Sequence, residues 1–171
     1  MEKQKGLSLV ETIIYVALLG LLMTTVVNLL LTVSSVYVRA RVVRNASQQG
    51  IGAMERMTRA IQLAYRVDSS QSVLGSSPGD LRIDSIITPT NTATTSRRFL
   101  LSGDTLILEE GVTPAVALTN GIRVTNLTFY RIDTGASGPE AVRIEMTIQA
   151  GQGNLQTTHT LYGTAMMRGS Y

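Results

Sequence analysis

Residues 7–38 form an apolar run of 32 residues whose only charge is Glu11. A helix needs about 20 apolar residues to cross a bilayer core, so this run is predicted to be a transmembrane helix. Beyond Arg39 the pattern becomes amphipathic. Val43, Ala46, Gly50, Met54, Met57, Ile61 and Ala64 recur at spacings of three and four, which marks one face of a helix seeking a surface. No proline precedes Pro78, and the first strong turn signal is Asp68-Ser69-Ser70. A single helix is therefore predicted from Leu7 to about Val67, roughly 90 Å long at 1.5 Å per residue. Gly50 and Gly52 each cost about 1 kcal/mol relative to alanine in a helix and mark the expected place for fraying or a bend.

The second half of the chain changes period. Residues 68–80, rich in Ser, Gly and Gln, read as a linker into the head. Short runs of β character follow at 81–87, 98–101, 105–109, 122–132, 141–149 and 156–162, separated by turn signals such as Ser102-Gly103-Asp104 and Asn120-Gly121. Val142, Ile144, Met146 and Ile148 alternate with polar neighbours, which predicts a strand with one buried face. Ile122 and Val124 share one parity while Leu127 and Phe129 take the other, so a bulge is expected near Thr125-Asn126. The Thr-rich stretch 88–98 lacks an apolar pattern and is read as a mobile loop. The expected fold class is α+β, a long N-terminal helix packed on a small antiparallel β-sheet head. The expected divisions are a leader at 1–6, a transmembrane and assembly helix at 7–38, an amphipathic helix at 39–67 and a β-rich head at 68–171.

Within the apolar run, Ala17, Gly20, Thr24, Asn28, Thr32 and Ser35 recur every three or four residues. Such a stripe permits close helix packing in a membrane. The alternative is chance placement, with the hydroxyls bonding back to their own helix. Packing is the favoured reading. The run would also be about 48 Å long against a core of roughly 30 Å, so tilt or burial against other helices is needed.

Charge is unevenly distributed. Residues 39–66 hold six arginines against Glu55, while residues 67–171 are slightly acidic. Two partners suit the basic segment: nucleic acid, or lipid head groups and acidic neighbours. No aromatic residue is interleaved with these arginines before Tyr65, so nucleic acid is the less favoured. No cysteine is present, so no disulfide supports the head.

The sequence Gly6-Leu7-Ser8-Leu9-Val10-Glu11, behind a short leader carrying Lys3 and Lys5, resembles the type IV pilins and the related pseudopilins of type II secretion. Ala17 and Gly20 fall where that family usually has small residues, whereas Leu7 and Asn28 stand where Phe and, in major pilins, Pro are commoner. The resemblance implies cleavage between Gly6 and Leu7 by a prepilin peptidase, methylation of the new amino terminus and helix packing into a filament. It implies for Glu11 a partner in the amino terminus of Leu7 on an adjacent subunit. From physics alone, an acidic residue in an apolar helix needs a named partner or pathway. Segments 121–130 and 139–146, with a closing strand ending near Arg168, resemble the heads of J-type minor pseudopilins and the corresponding minor pilins.

Catalytic chemistry finds little support. His159 is the sole histidine, which leaves a zinc site of the usual ligands unfilled, and on a predicted strand it reads as a packed or surface residue. No nucleophile elbow and no phosphate-cradling glycine motif occur. Asp104, Glu109 and Glu110 are close enough in sequence to hold calcium, yet their spacing is not that of an EF-hand, and a solvated hairpin is the better reading. No cofactor, metal or small-molecule substrate is expected.

The leading expectation is a minor pilin or pseudopilin, anchored in the inner membrane with its head outside the cytoplasm, then incorporated into a pilus or pseudopilus. Its expected partners are other pilin subunits, the prepilin peptidase, the inner-membrane assembly platform and the membrane. The expected partner face centres on Met54, Met57 and Ile61, with Arg56 and Arg59 at its rim. Two alternatives are a tip-exposed minor pilin that binds a surface, DNA or a secreted substrate, and an unprocessed single-pass membrane scaffold. The arginines after the span outnumber the lysines before it, which favours a cytoplasmic head. The leader implies the reverse and is the more specific signal.

Overall fold

The structure, a computed structural model, describes residues 8–88, 91–133, 140–151, 153 and 156–167. It is α+β: one long helix, α1 (Leu9–Gln62), precedes two antiparallel sheets. The chain forms two units, Met1–Arg41 and Val42–Tyr171, and α1 contributes to both. In the first unit every described residue is exposed, the apolar ones included. One helix, α1, is long and apolar enough to cross a membrane, and none of its most apolar window is buried.

The second unit contains the rest of α1 and all the strands. One sheet runs in chain order through β1 (Ala64–Val67), β2 (Leu81–Thr88), β3 (Asn91–Ser102), β4 (Thr105–Glu110) and β5 (Val116–Ala117). The other holds β6 (Arg123–Ile132), β7 (Ala141–Ala150) and β8 (Thr157–Met166), also in chain order. Antiparallel meanders of this kind need only short connections, which matches the turn signals between the runs. Gly103 and Gly121 take positive φ values of 61° and 74° at two of those turns. A register shift between Val124 and Asn126 lets Val124, Leu127 and Phe129 all turn inward despite their mixed parity.

The buried face of α1 consists of Ala46, Gly50, Ala53, Met54, Met57, Ala60 and Ile61. It packs on the sheet β6-β7-β8. A Cβ on Gly50 would stand 2.7 Å from Cδ1 of Ile148 and 2.7 Å from Cδ1 of Leu161, and one on Gly163 would stand 2.6 Å from Cε of Met54. The helix thus runs unbroken through Gly50 and Gly52, where fraying or a bend was expected. Close approach explains Gly50: the packing it permits offsets its low helix propensity. Met57, Ile61, Ile144, Met146, Ile148, Leu127 and Phe129 are all fully buried. Each such side chain stabilises the fold by about 1.5–3 kcal/mol. The other sheet adds Leu81, Ile83, Phe99 and Leu106 to the same cluster.

Two expectations are corrected. The helix stops at Gln62 rather than near Val67, because Ala64–Val67 pairs with β2 as strand β1 and Arg66 forms an ion pair with Asp84 at 2.8 Å. Sheet pairing overrides the helix propensity of Ala64. The stretch read as a loop at 88–98 is largely strand, since β3 begins at Asn91 and pairs with β2 from Thr88↔Asn91 to Leu81↔Phe99. Its β-branched threonines suit a strand even without apolar alternation.

The segment read as a linker has a structural role of its own. Gly75 N–H donates to Phe129 O (2.8 Å) and Gly79 N–H to Leu127 O (2.7 Å), while Ser77 Oγ accepts from Leu127 N–H (3.2 Å). This segment covers the outer edge of β6.

Candidate assembly surfaces

Gly6 and Leu7, the residues of the expected cleavage site, lie outside the described residues. Glu11 is exposed in the first turn of α1, and its Oε1 accepts a hydrogen bond from Tyr15 Oη at 3.2 Å. An i to i+4 spacing places the two side chains on one face. Tyr15 is the one residue near Glu11 whose part the sequence reading missed; helical spacing of a phenol from a carboxylate was the signal available.

Ala17, Gly20, Thr24 and Asn28 are all exposed, and a Cβ on Gly20 would meet nothing within 4 Å. Four hydroxyls of this region are satisfied inside the helix. Thr24 Oγ1 donates to Gly20 O, Thr25 Oγ1 to Leu21 O and Thr32 Oγ1 to Asn28 O, each at 2.9 Å, and Ser35 Oγ donates to Thr32 O at 2.8 Å. A hydroxyl paired this way enters an apolar medium without an orphaned donor.

The partner face expected around Met54, Met57 and Ile61 is corrected. Met57 and Ile61 are 0% exposed and Met54 is 9% exposed, because all three belong to the head's own core, with Met54 Cε against Gly163 of β8. Arg56 and Arg59 remain exposed. At about 100° per residue, Arg44, Arg56 and Arg59 fall within about 120° of one another, each about 100° or more around the helix from Met57. Arg59 pairs loosely with Glu55 at 3.9 Å, whereas Arg44 and Arg56 have no ion pair among the described residues. This basic stripe is open to a partner.

Most other charges are committed within the head. Arg98 donates to both oxygens of Asp80, at 3.0, 3.0 and 2.6 Å, and lies 3.4 Å from Glu109. Its bond to Asp80 raises the guanidinium pKa further. Glu110 pairs with Arg97 at 2.6 Å and Asp104 with Arg123 at 2.7 Å. The three carboxylates weighed as a calcium set therefore each face an arginine. Arg131 pairs with Glu140, and Glu140 Oε2 also accepts from Val67 N–H at 3.1 Å, tying β1 to the start of β7. His159 is half-buried, with Nε2 3.3 Å from Thr157 Oγ1.

An apolar groove of about 340 Å³ lies between α1 and β8, lined by Ile51, Met54, Thr58, Leu161 and Gly163, with the Glu55–Arg59 pair and Tyr162 also bordering it. Ile51 and Tyr162 are exposed.

The long apolar N-terminal helix leading into an antiparallel head is a pilin-like layout, and it is compatible with a single-pass membrane anchor. Compared with known family models, curated proteins and solved structures, the chain matches none of them.

Proposed function

We propose that the chain is a structural, non-catalytic subunit: a minor pilin or pseudopilin of a type IV pilus or type II secretion pseudopilus. On this reading a prepilin peptidase cuts between Gly6 and Leu7. Residues 7–38 hold the protein in the inner membrane with the head outside the cytoplasm, and helix packing then draws it into the filament with other pilin subunits. The supporting observation is the division of labour along α1. The half with a buried face, from Ala46 to Ile61, is complete within the head, whereas the apolar half carries Glu11 as its only charge and is exposed at each of its described residues. An uncovered apolar helix of that length requires lipid or other helices around it.

The experiment is intact-mass analysis of the membrane-bound protein made with and without a prepilin peptidase. The expected result is a chain starting at Leu7 with one added methyl, and Gly6→Val should block the cut. A mature chain starting after residue 20, or an uncut chain with the peptidase present, would overturn the reading.

A further inference from the structure

We propose that the outer edge of β8 is a docking site for an extended strand of another polypeptide, which adds to the sheet β6-β7-β8 and fills the adjoining groove with its own apolar side chains. The inference concerns the head alone and stands independently of the pilin reading.

Among the described residues the sheets have four outer edges, and three are blunted. β5 is two residues long, and β1 is four residues long and carries Arg66. The edge of β6 is covered by residues 75–79, and Val124 N–H donates to Asp104 O at 2.8 Å. β8 differs on every count. It is ten residues long, pairs with β7 without interruption from Ala150↔Thr157 to Ala141↔Met166, and contains no charged residue, proline or bulge. Every second residue of an antiparallel strand turns its N–H and C=O away from its neighbour. Among the described residues nothing pairs with those groups on the outer side of β8. Long, regular, uncharged edges are the kind that recruit another strand.

The neighbourhood specifies the occupant. A row of alternating donors and acceptors at strand spacing is matched by the backbone of another extended chain, the mode called β-augmentation. Side chains of the added strand that point toward α1 enter the groove lined by Ile51, Met54, Thr58 and Leu161, so those positions are apolar. Those pointing the other way extend the exposed row Thr158, Thr160, Tyr162 and Thr164, where β-branched residues pair well. Thr160 already pairs there with Thr147 at 3.2 Å. A second copy of β8 fits poorly. Its inward residues are Thr157, His159, Leu161, Gly163 and Ala165, of which Leu161 and Gly163 already lie against its own α1, so it brings little apolar surface to fill the groove.

The test uses the full chain in detergent and a fluorescent peptide of alternating Val and Thr with lysines at its ends. Binding is read by anisotropy, and its position by hydrogen exchange. The expected result is saturable binding that protects alternate amides within 157–166. Two adjacent N-methylated residues at the peptide's centre, which interrupt both of its edges, should weaken binding at least tenfold. Ile51→Lys, an exposed substitution, should do the same while exchange in β7 stays unchanged. No binding, equal binding by the N-methylated peptide or by the variant, or protection elsewhere would overturn the proposal. So would protection of 157–166 that rises with protein concentration alone, which would make a second copy the occupant.

Discussion

Gly50 of α1 and Leu161 of β8 meet with no space for a side chain between them: a Cβ on Gly50 would lie 2.7 Å from Leu161 Cδ1. Gly52, two residues on, has nothing within 4 Å of its would-be Cβ. The two glycines should therefore respond oppositely to substitution. Gly52→Ala should stabilise the head by about 1 kcal/mol through helix propensity. Gly50→Val should destabilise it by about 1–3 kcal/mol through overpacking. Urea unfolding of the full chain in detergent measures both.

Met57, on the buried face of α1, has no exposure. Met57→Ala should cost about 2–5 kcal/mol, the usual range for emptying a well-packed site. Met57→Glu should leave the head unfolded by near-ultraviolet circular dichroism. A folded Met57→Glu head that had lost only a binding partner would restore the partner face that the structure has displaced.

The Tyr15 to Glu11 hydrogen bond holds the carboxylate along the helix surface. Under the proposed function, Glu11→Ala should leave membrane abundance unchanged and reduce incorporation into filaments at least tenfold, since its partner lies on a neighbour. Tyr15→Phe keeps the charge and loses the tether, and should reduce incorporation by a smaller factor. Quantitative blotting of membrane and sheared-filament fractions separates the two effects; equal loss in both fractions would remove Glu11 from assembly.

Asp68 Oδ1 accepts from the backbone and the hydroxyl of Ser70, at 3.1 and 2.6 Å. The hydroxyl bond is the main cause of a carboxyl pKa below the ordinary value. A group with a lowered folded pKa contributes stability above its unfolded value, about 3.9 for Asp, and loses that contribution as pH falls through the folded value. The stability gap between wild type and Asp68→Ala should thus be constant near neutrality and narrow below about pH 4. A gap that widens on acidification would contradict this assignment.

The helix and the second sheet were legible in the sequence because periodicity there coincides with burial. The stripe from Ala46 to Ile61 and the alternation from Val142 to Ile148 both name residues that are buried, and the parity change around Thr125 anticipated the register shift. Legibility failed where pairing, not burial, fixes the conformation. Ala64–Val67 has no alternation of its own and is a strand because β2 lies beside it. The threonines of β3 give no apolar signal, although their branched side chains fit a pleated surface. The partner face was misplaced for a related reason: an amphipathic stripe announces that something covers it, not whether the cover is another molecule or the chain's own later strands. The open edge of β8 was invisible, since being at an edge is a property of the sheet's order rather than of any residue.

Gly50 and Met54 of α1 lie against β7 and β8, which sets a timetable for synthesis. The helix is made early and these strands last, so Gly50 and Met54 stay bare until Ile148, Leu161 and Gly163 have emerged. The latch from Val67 N–H to Glu140 likewise joins positions 73 apart in sequence. Contacts of such long sequence separation form slowly, because loop closure precedes any gain from the contact. A nascent chain arrested before β7 would therefore present a lipid-length helix followed by a second sticky face. Shielding that second face during synthesis falls to a chaperone or to the membrane surface.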